Sequence, residues 1–194
     1  MTNSQWYLIT WGLVGAVWGA GAVYNALYGP KVVERRRAAQ GLDRLVWLGL
    51  FLLATRVLPP NFWTPITIPS PWLRTAGIVI LVLSTLFILW ARWVLGTLWS
   101  GAAMVKQDHQ LRTSGPYRIT RNPIYTGFLG MAVGTMLMNG FGIMLLVVPA
   151  LLLFFEFKIY TEEGLLTKTF GEQYLEYKRR VPQLVPGLVL PRRK

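Results

Sequence analysis

From Trp6 to Tyr28 the chain runs without a charged side chain (WYLITWGLVGAVWGAGAVYNALY), and no other feature narrows the choice of fold as much. At roughly 1.5 Å per residue, a helix over this stretch crosses the hydrocarbon core of a bilayer, about 30 Å thick. It lacks the basic leader and short apolar block of a secretory signal, so it reads as a helix of the mature chain.

Four further apolar segments follow. Residues 44–58 (RLVWLGLFLLATRVL) form a short one with Arg56 near its end. Residues 72–95 begin at Pro71–Trp72, and 124–138 and 142–160 are separated only by Asn139-Gly140-Phe141. A connection that short, with Gly in it, predicts a tight helical hairpin inside the membrane. Pro149 predicts a kink in the fifth segment, because it removes one backbone hydrogen bond. Composition agrees: 53% of the 194 residues are hydrophobic and only 14% are charged, against about a quarter charged in soluble domains. The expected fold is an all-α integral membrane protein of one domain, 1–194. It has five transmembrane helices, a fourth–fifth hairpin and a cytoplasmic helical tail.

The placement of charge orients it. The segment 31–44 holds Lys31, Arg35, Arg36, Arg37 and Arg44; the segment 96–123 holds Lys106, Arg112, Arg118 and Arg121. The tail from 158 holds Lys158, Lys168, Lys178, Arg179, Arg180, Arg192, Arg193 and Lys194, so these three segments carry 5 + 4 + 8 = 17 of the 20 Lys and Arg. The N-terminus, the 59–71 loop and the 139–141 turn carry none. With five spans the basic segments share one side, which by the positive-inside rule puts the N-terminus outside and the C-terminus in the cytoplasm. The net charge of +12 therefore reports topology and an affinity for anionic membrane lipids, not nucleic-acid binding. Zero Cys and a single His exclude a disulfide framework, a thiolate nucleophile and a Cys- or His-based metal cluster, so no metal site is expected.

Several features have structural explanations. Gly15 with Gly19, and Gly130 with Gly134, are small-xxx-small pairs that permit close helix approach. Most of the nine Trp, among them Trp6, Trp11, Trp63, Trp72, Trp90, Trp93 and Trp99, lie near span ends and read as interface anchors. The Arg35-Arg36-Arg37 run reads as a lipid-facing anchor.

Polar residues concentrate in 106–127 and 156–187, on the two flanks of the hairpin. Ser114-Gly115-Pro116 predicts a turn, and Asn122-Pro123 a helix start whose free N–H groups can receive a carboxylate. Leu166, Phe170, Tyr174, Tyr177 and Val181 form an apolar-aromatic stripe, interrupted at Gly171, that packs on the membrane surface or lines a site. Glu156 and Glu163 share a helix face, with Glu162 beside them. Carboxylates at a membrane boundary mark a functional cavity or pair with Lys158 or a loop arginine.

The stretch HQLRTSGPYRITRNPIYTG at 109–127 resembles the H-x-L-x-x-x-G-P-Y-x-x-x-R-H-P-x-Y-x-G signature of the isoprenylcysteine carboxyl methyltransferase family. EEGLLTKTFGEQYLEYKRRVP at 162–182 is similar to that family's cytoplasmic tail, and Leu95-Gly96-x-x-Trp99-Ser100 to the segment after its preceding span. The likeness covers roughly 72–190, so 72–194 reads as the catalytic core and 1–71 as two added spans. Asn122 stands where the family has His; it keeps hydrogen-bonding capacity but can be neither a cation nor a base.

The resemblance implies methyl transfer from S-adenosylmethionine to a lipophilic acceptor, in the family's best-known case the carboxylate of a prenylated cysteine. Such a displacement asks for alignment and a water-poor site more than for acid–base groups. His109, Leu111, Gly115, Tyr117, Asn122, Pro123, Tyr125 and Gly127 then match the cofactor side. Tyr174 and Tyr177 would cover the adenine or the sulfonium. Arg121 would hold an anionic acceptor, and Glu162 or Glu163 would orient Arg121 or the cofactor's amine. Two other classes share parts of this pattern: an NADPH-dependent membrane sterol or steroid reductase, and a non-enzymatic lipid-binding membrane protein.

Overall fold

A computed structural model describes residues 1–29, 32–35, 66–96, 104–106 and 111–187, with only the backbone described at 32–35 and 104–106. The second apolar segment, 44–58, lies outside them, as do His109, Trp63, Trp99 and Ser100. Helices α1 (Asn3–Tyr28), α2 (Pro71–Leu95), α3 (Pro123–Met138), α4 (Met144–Phe170) and α5 (Glu172–Arg180) make up most of the rest. The all-α expectation meets one exception: strands β1 (Val32–Arg35) and β2 (Met104–Lys106) pair antiparallel.

Helices α1, α2 and α4 are long and apolar enough to cross a membrane, and α3 is a shorter apolar helix. Three of the starts are chemically marked. Thr2 and Gln5 close a capping box on α1, and Pro71 and Pro123 open α2 and α3, where a missing N–H costs nothing. Helix α4 continues through Pro149 and, as expected, stops at Gly171, whose φ of 53° suits a residue without Cβ.

Among the described residues, α2 and α3 approach closely along a glycine-lined seam. A Cβ on Gly134 would lie 2.7 Å from the Leu81 amide nitrogen, and one on Gly77 would lie 2.6 Å from the Gly134 carbonyl oxygen. Gly130 likewise faces Ser84. The Gly130–Gly134 pair therefore works within the chain, whereas nothing approaches Gly15 or Gly19 among the described residues. Around the seam Val14, Leu81, Ile88, Met131 and Met138 form a core, flanked by Trp11 and Trp18. These two tryptophans pack inward instead of anchoring at a span end, while Trp72 and Trp93, at opposite ends of α2, are 85% and 84% exposed.

The hairpin closes through Asn139–Ile143 and is tied sideways. The Ile68 N–H donates to Gly140 O at 2.9 Å and Tyr7 Oη–H to Asn139 Oδ1 at 2.7 Å. Arg74 donates to Met1 O and Asn3 Oδ1 at 2.7 and 2.9 Å. The N-terminus, residues 66–71 and the 139–141 turn thus gather at one end of the bundle. The polar stretches 111–122 and 162–187 gather at the other.

Candidate active site

At that second end the loop 111–122 enters α3 through a 3₁₀ turn at Gly115–Arg118, with Gly115 at φ 60°. Pro116, Tyr117 and Thr120 are buried. The tail returns across this loop as a strap. The Arg121 N–H donates to Pro182 O at 2.8 Å and the Asn122 N–H to Gln183 O at 3.2 Å. The Thr126 hydroxyl donates to Leu184 O at 2.7 Å.

Under the strap lies a compact ion cluster. Arg121 Nε–H donates to Glu163 Oε1 at 2.9 Å, and the two side chains are only 7% and 5% exposed. Lys178 Nζ meets Glu163 Oε2 at 2.6 Å. Arg121 Nη1 donates to the carbonyls of Lys178 and Val181, and the Asn122 amide reaches Glu163 Oε1 at 3.4 Å. A carboxylate does sit near the start of α3, but the side chains of Arg121 and Asn122 hold it, while the backbone N–H groups of these two residues go to the strap carbonyls. Charges this deep are tolerated because each is paired and hydrogen-bonded.

The neighbouring acid is separate. Glu162 accepts a hydrogen bond from Tyr125 Oη at 2.7 Å, and Tyr125 stacks on Phe155 at 4.7 Å with Lys158 5.9 Å from its ring centre. Successive helix residues point about 100° apart, so Glu162 and Glu163 serve different neighbours. Of the two acids that the sequence left open as partners of Arg121, the structure pairs it with Glu163.

The aromatic stripe also turns inward. Tyr174, Tyr177 and Val181 form a core with Leu111, Leu166 and Phe170, and Tyr174 is 1% exposed. The Tyr177 hydroxyl donates to Tyr117 O. Burial raises the pKa of the Tyr117, Tyr174 and Tyr177 hydroxyls, so all three remain protonated donors. Pro123 is fully buried, and a Cβ on Gly127 would lie 2.7 Å from Ile88 Cβ, so both sit in helix packing.

Two cavities meet at the cluster. The polar one, about 450 Å³, is lined by Glu156, Ile159, Tyr160, Glu163, Gly164, Thr167, Lys178 and Gln183. The more apolar one, about 620 Å³, runs from Arg121 and Lys178 down between α3 and α4 past Thr126, Leu129, Val133 and Leu152, under Leu184, Val185 and Pro186. Glu156, Lys178 and Gln183 line both, and Gln183 Nε2 donates to Glu156 Oε2 at 2.7 Å. The expected sharing of one space by Glu156 and Glu163 is met. Lys178 and Gln183 were not singled out from sequence. For Lys178 a signal existed, since it lies four residues after Tyr174 and so on the same helix face.

Comparison with known proteins places the chain in a family. The profile of the phospholipid methyltransferase family matches residues 72–173, more than half of the chain. The chain is a member of this family of membrane methyltransferases. Its relatives include the protein-S-isoprenylcysteine O-methyltransferase of Schizosaccharomyces pombe, 41% identical over 44% of this chain and 36% of that one. Isoform B of Arabidopsis thaliana is 34% identical over 59% and 60%. A cobalt-zinc-cadmium resistance protein, CzcN of Cupriavidus metallidurans, is 31% identical over 73% of this chain and 62% of that one. The chain thus spans between about a third and three fifths of the length of these relatives. A solved eukaryotic intramembrane Ras methyltransferase, isoprenylcysteine carboxyl methyltransferase, shares the fold with a TM-score of 0.57 at 23% identity, covering 81% of this chain and 55% of that one. The resemblance drawn from 109–127 and 162–182 is thereby borne out.

Proposed function

We propose that the chain is an integral membrane methyltransferase that moves a methyl group from S-adenosylmethionine to a lipophilic, carboxylate-bearing acceptor such as a prenylated cysteine. The observation that carries this reading is the Arg121–Glu163–Lys178 cluster on the shared rim of a polar and an apolar cavity. The family membership supplies the reaction class.

The residues present fit the cofactor. Both cavities lie within the range of about 300–1,000 Å³ typical of small-molecule sites. Of the two carboxylates that line the polar one, Glu163 is taken up by Arg121 and Lys178, whereas Glu156 bonds only the neutral Gln183 and complements a positive centre of S-adenosylmethionine. Bound there, the cofactor supplies the methyl group as an electrophile on a sulfonium. The motif residues match the cofactor side by resemblance: His109 lies outside the described residues, and none of Leu111, Gly115, Tyr117, Asn122, Pro123, Tyr125 and Gly127 lines either cavity, so in this reading they shape the loop and helix that carry Arg121. Tyr174 and Tyr177, being buried, hold that loop in shape.

Arg121, Glu163 and Glu162 act through position. Glu163 holds Arg121 against the strap carbonyls, and Arg121 turns positive potential into the apolar cavity. Glu162 fixes Tyr125. The strap residues Leu184 and Val185 exclude water from the acceptor side, which strengthens each charge interaction.

The same reading places five spans in the membrane, the hairpin among them, with the N-terminus outside and the cofactor site and C-terminus cytoplasmic. The gathering of the N-terminus, residues 66–71 and the 139–141 turn at one end supports it. The acceptor and the membrane lipids are its partners. Calorimetric titration of the detergent-solubilised protein tests the reading: S-adenosylhomocysteine binds and NADPH does not. Binding of NADPH alone would replace it with the reductase.

A further inference from the structure

The ion cluster contains two cations, and they are not equivalent. Arg121 is held in place: three of its five N–H donors, Nε–H and the two on Nη1, go to Glu163, Lys178 O and Val181 O, its side chain is only 7% exposed, and it lines the apolar cavity but not the polar one. It therefore acts as the bolt between strap, loop and α4. Lys178 makes one ion pair through an ammonium that carries three donors. Its side chain is 36% exposed, and it lines both cavities where they meet. An anionic group arriving in either cavity meets Lys178 with donors to spare.

We propose that Lys178, not Arg121, is the residue that receives a ligand carboxylate at the junction of the two cavities. This deepens the methyltransferase reading and rests on it. The carboxylate is either the acceptor's terminus, entering from the apolar cavity, or the amino-acid end of the cofactor, entering from the polar one. In both cases Lys178 bridges Glu163 and the ligand, so the carboxylate is held beside a neutralised acid and not against a bare one. Gln183 stands at the same junction as a neutral donor already engaged by Glu156.

The test uses the full chain in detergent, with an S-prenylated N-acetylcysteine and its C-terminal amide as probes, and S-adenosylhomocysteine for the cofactor side. The variants are Lys178→Gln, Lys178→Arg and Glu163→Gln with and without Lys178→Gln, each used as monodisperse protein. If the acceptor's carboxylate is the ligand, wild type prefers the acid to the amide by at least about tenfold. Lys178→Gln then abolishes that preference, Lys178→Arg keeps most of it, and S-adenosylhomocysteine affinity is unchanged. If the ligand is the cofactor's carboxylate, Lys178→Gln instead weakens S-adenosylhomocysteine about tenfold and leaves the acid–amide ratio alone. In either case Lys178→Gln still costs affinity on top of Glu163→Gln, because the lysine acts on ligand and not only on Glu163. A Lys178→Gln variant that leaves both measurements at wild-type values overturns the proposal, as does one silent in the Glu163→Gln background. Either failure alongside intact S-adenosylhomocysteine binding leaves the methyltransferase reading standing.

Discussion

Both ends of the helical assembly are closed by an arginine that donates to main-chain carbonyls, and the contrast between them separates scaffold from site. At one end Arg74 reaches Met1 O and Asn3 Oδ1 beside the hairpin turn, with neutral, largely exposed partners. At the other, Arg121 reaches Lys178 O and Val181 O but is also paired with a buried carboxylate and faces a cavity. The tie is the same; only the second adds a buried acid, a free-reaching lysine and space for a ligand. A buried charge network costs desolvation that a simple tie avoids, so its presence at one end is an argument for function there.

The largest expected effect comes from breaking that network. Glu163→Gln leaves Arg121 buried without its acid, which should cost about 3 kcal/mol or more of stability. Methyl transfer should fall at least about tenfold, roughly 1.4 kcal/mol. Thermal inactivation and turnover, measured together, check both. Arg121→Ala should lose a similar amount, and the double mutant much less than the sum, since the two groups form one unit.

Next in size is the seam that joins the two ends. Gly134→Val forces a side chain against the Leu81 backbone and should cost about 1–3 kcal/mol. Gly15→Val, with open space around it in the described residues, should cost far less. Denaturation midpoints in detergent compare them. Tyr125→Phe removes the hydroxyl that Glu162 accepts and should cost about 1 kcal/mol, seen as a lowered midpoint. Arg74→Ala, the counterpart of Arg121→Ala, should cost at most about 1 kcal/mol and leave turnover at the wild-type level. A turnover loss in Arg74→Ala equal to that of Arg121→Ala would erase the contrast between the ends.

What could be read from sequence follows the range of the interactions. Three apolar helices long enough to span, the Gly171 break and the close approach at Gly130 and Gly134 are local patterns of hydropathy and small residues, and they were legible. Which of two adjacent acids meets Arg121 was not, because a choice between Glu162 and Glu163 depends on the rotation of α4 against a loop some forty residues earlier. The strap was invisible for a related reason: Arg121 and Asn122 bond to the carbonyls of Pro182 and Gln183, and main-chain contacts leave no side-chain signature. The tyrosine stripe was visible as a stripe, but an amphipathic face does not say whether it meets lipid, ligand or, as here, Leu111 and its own neighbours.

The central claim is that the ion-paired end transfers a methyl group and the other end does not. Purified protein in liposomes, given S-adenosylmethionine labelled in its methyl group and an S-prenylated N-acetylcysteine, tests it directly by counting label in the organic phase. The account predicts transfer by wild type and by Arg74→Ala, and at most about a tenth of that rate in Glu163→Gln. Transfer by Glu163→Gln at the wild-type rate, or none by wild type that binds S-adenosylhomocysteine, would contradict it.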